Sequence, residues 1–246
     1  MTTWSSLSDC VSKVNPLFLM SEPVTDPLVN RQAPRREKTR LALVAAGREL
    51  LAERPIDSIP VDDIVERAGV AKGSFFNHFR DKDAFAGAIA ADIRAALESE
   101  VARVNAGIED PARRVVRGVG SFVRFALADG RAARILMRGY GGAAAADHPL
   151  NAGLRLDIAR GLADGRLSTP TLDAGVLYVV GLCQVLLVAV VLQGLDRDQA
   201  GRLTAEVLTL LLTGLGLSAD QAAALATLTV GELLHETLSQ ASAGQA

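Results

Sequence analysis

The chain has 246 residues, 49% of them hydrophobic but only 4% aromatic, with 26 Lys+Arg against 28 Asp+Glu and a formal charge of −2. That length allows one large domain or two smaller ones, and so aliphatic a composition asks for a core of Leu, Val and Ala, which suits helix-on-helix packing. The near-zero charge excludes a generally basic coat, so any nucleic-acid binding has to come from a local patch.

The first 33 residues carry Ser, Thr and three prolines, Pro16, Pro23 and Pro27. They read as a disordered extension. No basic segment precedes a long apolar run, which argues against a signal peptide. Met20 is an alternative start, which would make residues 1–19 a mis-assigned extension. A basic cluster follows at Arg31, Arg35, Arg36, Lys38 and Arg40. A basic arm entering the minor groove is conceivable only for residues 31–40. Residues 31–83 hold 11 Lys/Arg and 9 Asp/Glu, a net of +2, while residues 84–246 hold 14 and 16, a net of −2.

Helix 1 is predicted over about Arg35 to Arg54, with Leu43, Val44, Ala46, Gly47, Leu50 and Leu51 on one apolar face. Pro55 stops it. Pro60 opens a second helix, where a missing N–H costs nothing. Asp62 and Asp63 in its first turn complement the positive helix end. Val61, Ile64, Val65 and Ala68 face inward, and Gly69 supplies a turn that calls for positive φ. A short third helix spans about Lys72 to Phe79. Phe75, Phe79 and Phe85 pin it to the bundle. Its other face carries Lys72, Gly73, Ser74, Asn77 and His78, residue types that reach phosphates and base edges. His78, beside Phe79, is also compatible with a packed, hydrogen-bonded role. Helix, turn and short helix in this order form a helix-turn-helix unit whose third helix can enter a major groove.

This stretch, AERPIDSIPVDDIVERAGVAKGSFFNHFRDKDAF with TRLALVAAGRELLAE before it, resembles the TetR family of bacterial transcriptional regulators over about residues 37–86. The combination of IVERAGV, KGSFFNHF and the following Lys82 carries the resemblance. It implies a recognition helix at Ala71–Phe79, with Lys72, Gly73, Ser74, Phe76, Asn77 and His78 at positions that touch DNA. It also implies phosphate contacts for Thr39 and Arg40 at the start of helix 1 and for Lys82 at the start of helix 4. Two positions depart from the family pattern. Ala71 cannot cap helix 3 as Ser or Thr would, and Phe76 keeps the ring of the usual Tyr but loses its hydroxyl.

Beyond residue 83, helices are expected at about Asp83–Arg103, Pro111–Asp129, Ala132–Arg138, Leu150–Asp164, Leu172–Leu192, Arg197–Leu215 and Ser218–Ser239. GYGGAAAADHP reads as a loop. The paired LADGR segments at 127–131 and 162–166 mark two similar helix ends rather than a repeat array. Residues 174–195 hold no charge and meet the length criterion for a membrane span. Asp173 and Asp196 flank them, Gln184 would lie near mid-bilayer, and a helix buried on all sides explains the pattern as well.

The resemblance implies that Leu172–Leu192 and Arg197–Leu215 build a four-helix homodimer interface. It also implies an effector pocket among helices spanning about 112–190, with Phe122, Phe125, Met137, Tyr140, Arg155, Tyr178 and Gln184 as candidate lining. A mainly aliphatic pocket favours an apolar ligand with one or two polar atoms. The dimer would set two recognition helices about one DNA turn apart, roughly 34–36 Å or somewhat more, on a near-palindromic operator in double-stranded DNA.

No catalytic pattern competes. His78, His148 and His235 lie far apart, and HExxH, GxSxG, a P-loop and a strand-linked GxGxxG are lacking. Cys10 and Cys183 form no CxxC pair, which argues against a zinc site or disulfide framework and fits a reducing cytoplasm. No cofactor or metal is expected. The expected protein is therefore all-α, with a disordered extension at 1–33, a three-helix DNA-binding domain at 34–86 and a helical ligand-binding and dimerisation domain at 87–246. Its expected role is a transcriptional regulator in the cytoplasm, a repressor released by an unidentified small-molecule effector. Two alternatives are a DNA-bound scaffold that recruits a protein through its C-terminal domain and a single-span membrane protein with a DNA-binding head.

Overall fold

The computed structural model describes residues 27–139 and 146–235, and within them every regular element is helical. The proposed start at Met20 and most of the N-terminal extension lie outside these residues. The first helix, α1 (Pro27–Glu53), begins before the predicted Arg35. Pro27 is at home in a first turn because its N–H has no intrahelical partner to lose. Pro34 lies inside the helix and is exposed. After a short 3-10 turn (Ile56–Ser58) come α2 (Val61–Ala68) and α3 (Lys72–Phe76). Gly69 ends α2 at φ 65°, ψ 36°, with its N–H donated to the carbonyl of Glu66. Glycine takes that left-handed conformation without a Cβ penalty.

Asp81 starts α4 (Lys82–Val104) by accepting the N–H of Ala84 at 2.7 Å. Asp110 and Asp129 cap α5 (Pro111–Ala128) and α6 (Gly130–Met137) in the same way. Then follow α7 (Ala152–Ala163), α8 (Leu172–Leu192), α9 (Arg197–Gly214) and α10 (Ala219–Val230). The single helix predicted at 218–239 changes to a π turn at Gly231–His235. A capping box of Asp196 and Gln199 sets the start of α9, satisfying two end groups reciprocally.

Two cores form. The smaller holds Leu43, Leu51, Ile59, Ile64, Phe75, Phe85 and Ile89, from α1 to α4, and is closed by Ala132 and Ile135 of α6. Phe79 and Phe85 stand 4.8 Å apart edge-on, and Phe75 lies 5.2 Å from Phe85. Such edge-to-face pairs contribute about 0.5–1.5 kcal/mol each beyond area burial, which is how so short a helix as α3 is held. The larger core is aliphatic and centres on α5, packed by α4 and α7 to α10. Within it α8 buries Val176, Val179, Cys183, Leu186, Leu187 and Val190, so this helix, uncharged after Asp173, is a core element of the bundle on one side. Its other side leaves Leu177, Val185 and Leu192 exposed.

Candidate DNA interface and ligand cavity

The recognition turn continues past α3, since Asn77, His78 and Phe79 donate their N–H groups to Gly73 and Phe75. Ala71 precedes α3 with no side-chain cap. Phe75 and Phe79 point into the core, and Ala71, Lys72, Gly73, Phe76 and Asn77 are exposed on the other face. Phe76 stacks edge-on against Phe75, with ring centroids 5.3 Å apart, while keeping 55% of its surface exposed. Ser74, Asn77 and His78 share an open groove with Arg35, Arg36 and Thr39 of α1. Basic α1 residues thus flank the polar face of α3, the arrangement that lets one element track a phosphate strand while another meets base edges.

Three predicted contacts are differently engaged. Lys72 pairs with Asp62 at 2.9 Å, but both are well exposed, so releasing the pair for a phosphate costs little. Arg40 turns toward Asp92 of α4, 3.5 Å away, and Glu37, leaving Arg35 and Arg36 on the groove. Lys82 donates to the carbonyls of Ile56, Asp57 and Ile59 at 3.1, 3.2 and 3.1 Å. An ammonium has three donors, and these three carbonyls use them, so in this structure Lys82 clamps the 3-10 turn to α4 rather than facing outward.

The second site is a cavity of about 130 Å³ between α4, α5, α7 and α8. Valines 101, 115, 119 and 179, with Phe122 and Leu187, give it apolar walls. Two ion pairs punctuate them. Arg94 donates Nε to Glu98 at 2.7 Å and an Nη2 to Asn151 at 2.9 Å, and its guanidinium lies 4.7 Å from the Phe122 ring centre. Arg114 donates to Asp157 at 2.5 Å and to the carbonyl of Asn105 at 2.9 Å. Burial pushes the Glu98 carboxyl above its ordinary range despite Arg94, and that of Asp157 despite Arg114. Burial likewise pushes the Cys183 thiol up to about 12, keeping it a neutral wall group.

Of the seven candidate lining residues, Phe122 and Gln184 line this cavity. Tyr140 lies outside the described residues. Phe125 packs between the two cores instead. Met137 is partly buried against the larger core and offers its carbonyl to Gln184 at 3.0 Å. Arg155 is drawn to the surface by Asp173. Tyr178 faces α9 and donates its hydroxyl to the carbonyl of Leu210 at 3.2 Å. Arg94, Glu98, Asn105, Arg114 and Asp157 were not foreseen. The first three recur at four- and seven-residue steps along one face of α4 and its C-cap, a faint signal that reads equally as a solvated stripe. Among the described residues no group of three or more His, Cys, Asp or Glu side chains could hold a metal ion.

A helix-turn-helix end joined to an all-helical body with its own cavity defines a class of DNA-binding regulators. The family model for bacterial regulatory proteins of the tetR family matches residues 43–89, which contain the recognition turn. Solved structures share the fold. RolR in complex with resorcinol superposes with TM-score 0.57 at 25% identity, over 79% of this chain and 96% of that one. A transcription regulator assigned to the tetR family, from Shewanella sp. PV-4, gives 0.64 at 14%, over 73% and 99%. FadR from Bacillus subtilis, holding stearoyl-CoA, gives 0.59 at 15%, over 71% and 98%. Residues 43–89 are thus similar to the DNA-binding unit of the tetR family of bacterial regulatory proteins, and the chain as a whole shares the all-helical fold of these solved regulators.

Proposed function

We propose that the chain is a cytoplasmic transcriptional repressor that binds a near-palindromic operator as a homodimer and is released by a small-molecule effector. Residues 34–86 serve DNA binding, and residues 87–246 serve the effector and dimerisation. The observation that carries this is the course of α4. Phe85, Ile89 and Ile93 lock its first half into the core that holds α3, while Arg94, Glu98, Val101 and Ala102 of its second half wall the cavity. A ligand that favours one tilt of α4 therefore biases the position of α3, and only such a difference between two states couples binding sites. That RolR is a similar chain with a bound resorcinol supports an effector of small size.

The exposed apolar side chains of α8 (Leu177, Val185 and Leu192) and of α9 (Leu210) support dimerisation through these two helices. Arg35, Arg36, Thr39, Lys72, Ser74, Phe76, Asn77 and His78 form the proposed DNA face. A reporter fused to the DNA upstream of the chain's own gene tests the sense of regulation. Deleting the gene raises reporter output if the protein represses. An unchanged output in the deleted strain, with the upstream DNA bound in vitro, would favour the scaffold role, and a fall would make it an activator.

A further inference from the structure

The cavity also restricts the chemistry of its occupant, on the footing that it is the effector site. Its volume of about 130 Å³ is close to that of an engineered apolar cavity in another protein, about 150 Å³, which admits benzene. A volume of that size suits a single ring with small substituents better than a long acyl chain.

Charge narrows the class further. The lining brings two cations and two anions, already matched as Arg94 with Glu98 and Arg114 with Asp157. The Arg114 guanidinium also serves the carbonyls of Asn105 and Ile108, and the Arg94 guanidinium serves Asn151 and the Phe122 ring. An anionic ligand would have to compete with one of these partly buried pairs for its counterion, and displacing a carboxylate from its arginine leaves that charge poorly compensated.

One polar group is left over. Asn105 is 1% exposed and lines the cavity, and its Oδ1 accepts no hydrogen bond. The orientation of its amide is fixed, because Nδ2 donates to the carbonyl of Arg114 at 3.1 Å and a carbonyl can only accept. A buried acceptor without a donor is costly until something donates to it. One helical turn after Arg94, Glu98 presents a second acceptor whose carboxyl is partly desolvated. Seven positions separate Glu98 from Asn105 at the end of α4, a rise of about 10 Å along the helix axis, and one ring bearing two hydroxyls, with their hydrogen bonds, spans a comparable length.

From these observations we infer that the cavity takes an uncharged, hydroxylated one-ring molecule whose hydroxyl groups donate to Asn105 Oδ1 and Glu98. The test is calorimetric titration of the full chain with resorcinol, its dimethyl ether and benzoate, each also added to the protein–DNA complex. Resorcinol binds at least tenfold more tightly than the ether, which has the ring but no donor, and than benzoate, which brings a charge. Asn105→Leu loses at least tenfold for resorcinol and keeps the affinity for the ether, an internal check that the variant folds. Equal binding of the ether, tighter binding of benzoate, or no binding by resorcinol overturns the inference. Resorcinol binding that leaves DNA affinity unchanged upholds the ligand class and removes the effector role. DNA release by the ether or benzoate alone does the reverse.

Discussion

Lysines 72 and 82 stand at the starts of α3 and α4, yet their ammonium groups have different surroundings. Lys72 sits exposed on the recognition turn, tethered only by the surface pair with Asp62. If it reaches a phosphate, Lys72→Ala weakens binding to all sequences and lowers the slope of log affinity against log salt by about 1. Lys82, whose three donors are taken by backbone carbonyls, behaves differently. Lys82→Ala leaves the salt slope unchanged and lowers stability by about 2 kcal/mol, the scale of lost charge-assisted hydrogen bonds. Salt titrations of both variants alongside chemical denaturation separate the two roles. Asn77→Ala should instead alter base preference, measured by selection of bound fragments, and an unchanged preference would remove Asn77 from the base-reading set.

Glu98 gives a pH signature at the same scale. Burial holds its folded-state value above the ordinary carboxyl value, so the folded state binds this proton more tightly than the unfolded chain does. The associated stability is present below the ordinary carboxyl value and is lost as pH rises through the raised one. Glu98→Gln removes that loss. Denaturation of both proteins at pH 4 and pH 7 shows the variant gaining on the parent at the higher pH, and the opposite trend would show that Arg94 outweighs burial.

At the scale of elements, α1 meets α4 closely at Gly47. A Cβ there would stand 2.3 Å from the Phe85 ring and 2.5 Å from Ile89. Gly47→Ala is therefore destabilising by about 2 kcal/mol, the cost of overpacking a fixed core, despite the better helix propensity of alanine. Thermal unfolding measures it. The parts of this end were legible in the sequence because their signals are local. Pro60, Gly69 and the phenylalanines at 75, 79 and 85 each act within a few residues of where they stand. The cavity was much less legible. Its polar lining comes from four helices that meet only through long-range packing, and Arg114 or Asp157 looks like an ordinary surface charge until the partner helix is in place. Composition alone led to an aliphatic pocket, which its valine walls match, while the two ion pairs needed the fold. The start of α1 at Pro27 was missed for a similar reason, since a proline-bearing segment reads as irregular unless the first proline lies at a helix start.

For the whole molecule, the exposed stripe of α8 is the feature that most needs a partner. Val185 is 66% exposed at the centre of that stripe, and Leu210 of α9 is 67% exposed. If two copies pair through these helices, Val185→Asp places unpaired charges in the interface and shifts the sedimenting species from dimer to monomer. An unchanged sedimentation pattern would move the interface elsewhere. The stripe also explains why α8 has the pattern of a membrane span. One side serves the core of its own bundle, and the other is apolar because a second chain is proposed to cover it.

All of this rests on the protein being a sequence-specific DNA-binding dimer. Fluorescence anisotropy with the DNA upstream of its own gene, at several salt concentrations and against competitor DNA, tests that most directly. A regulator of this build binds with two protomers per site, or a multiple, resists competitor, and shows a salt slope that falls when Lys72 is removed. Weak binding that vanishes with salt and is indifferent to sequence at every site tried would contradict it.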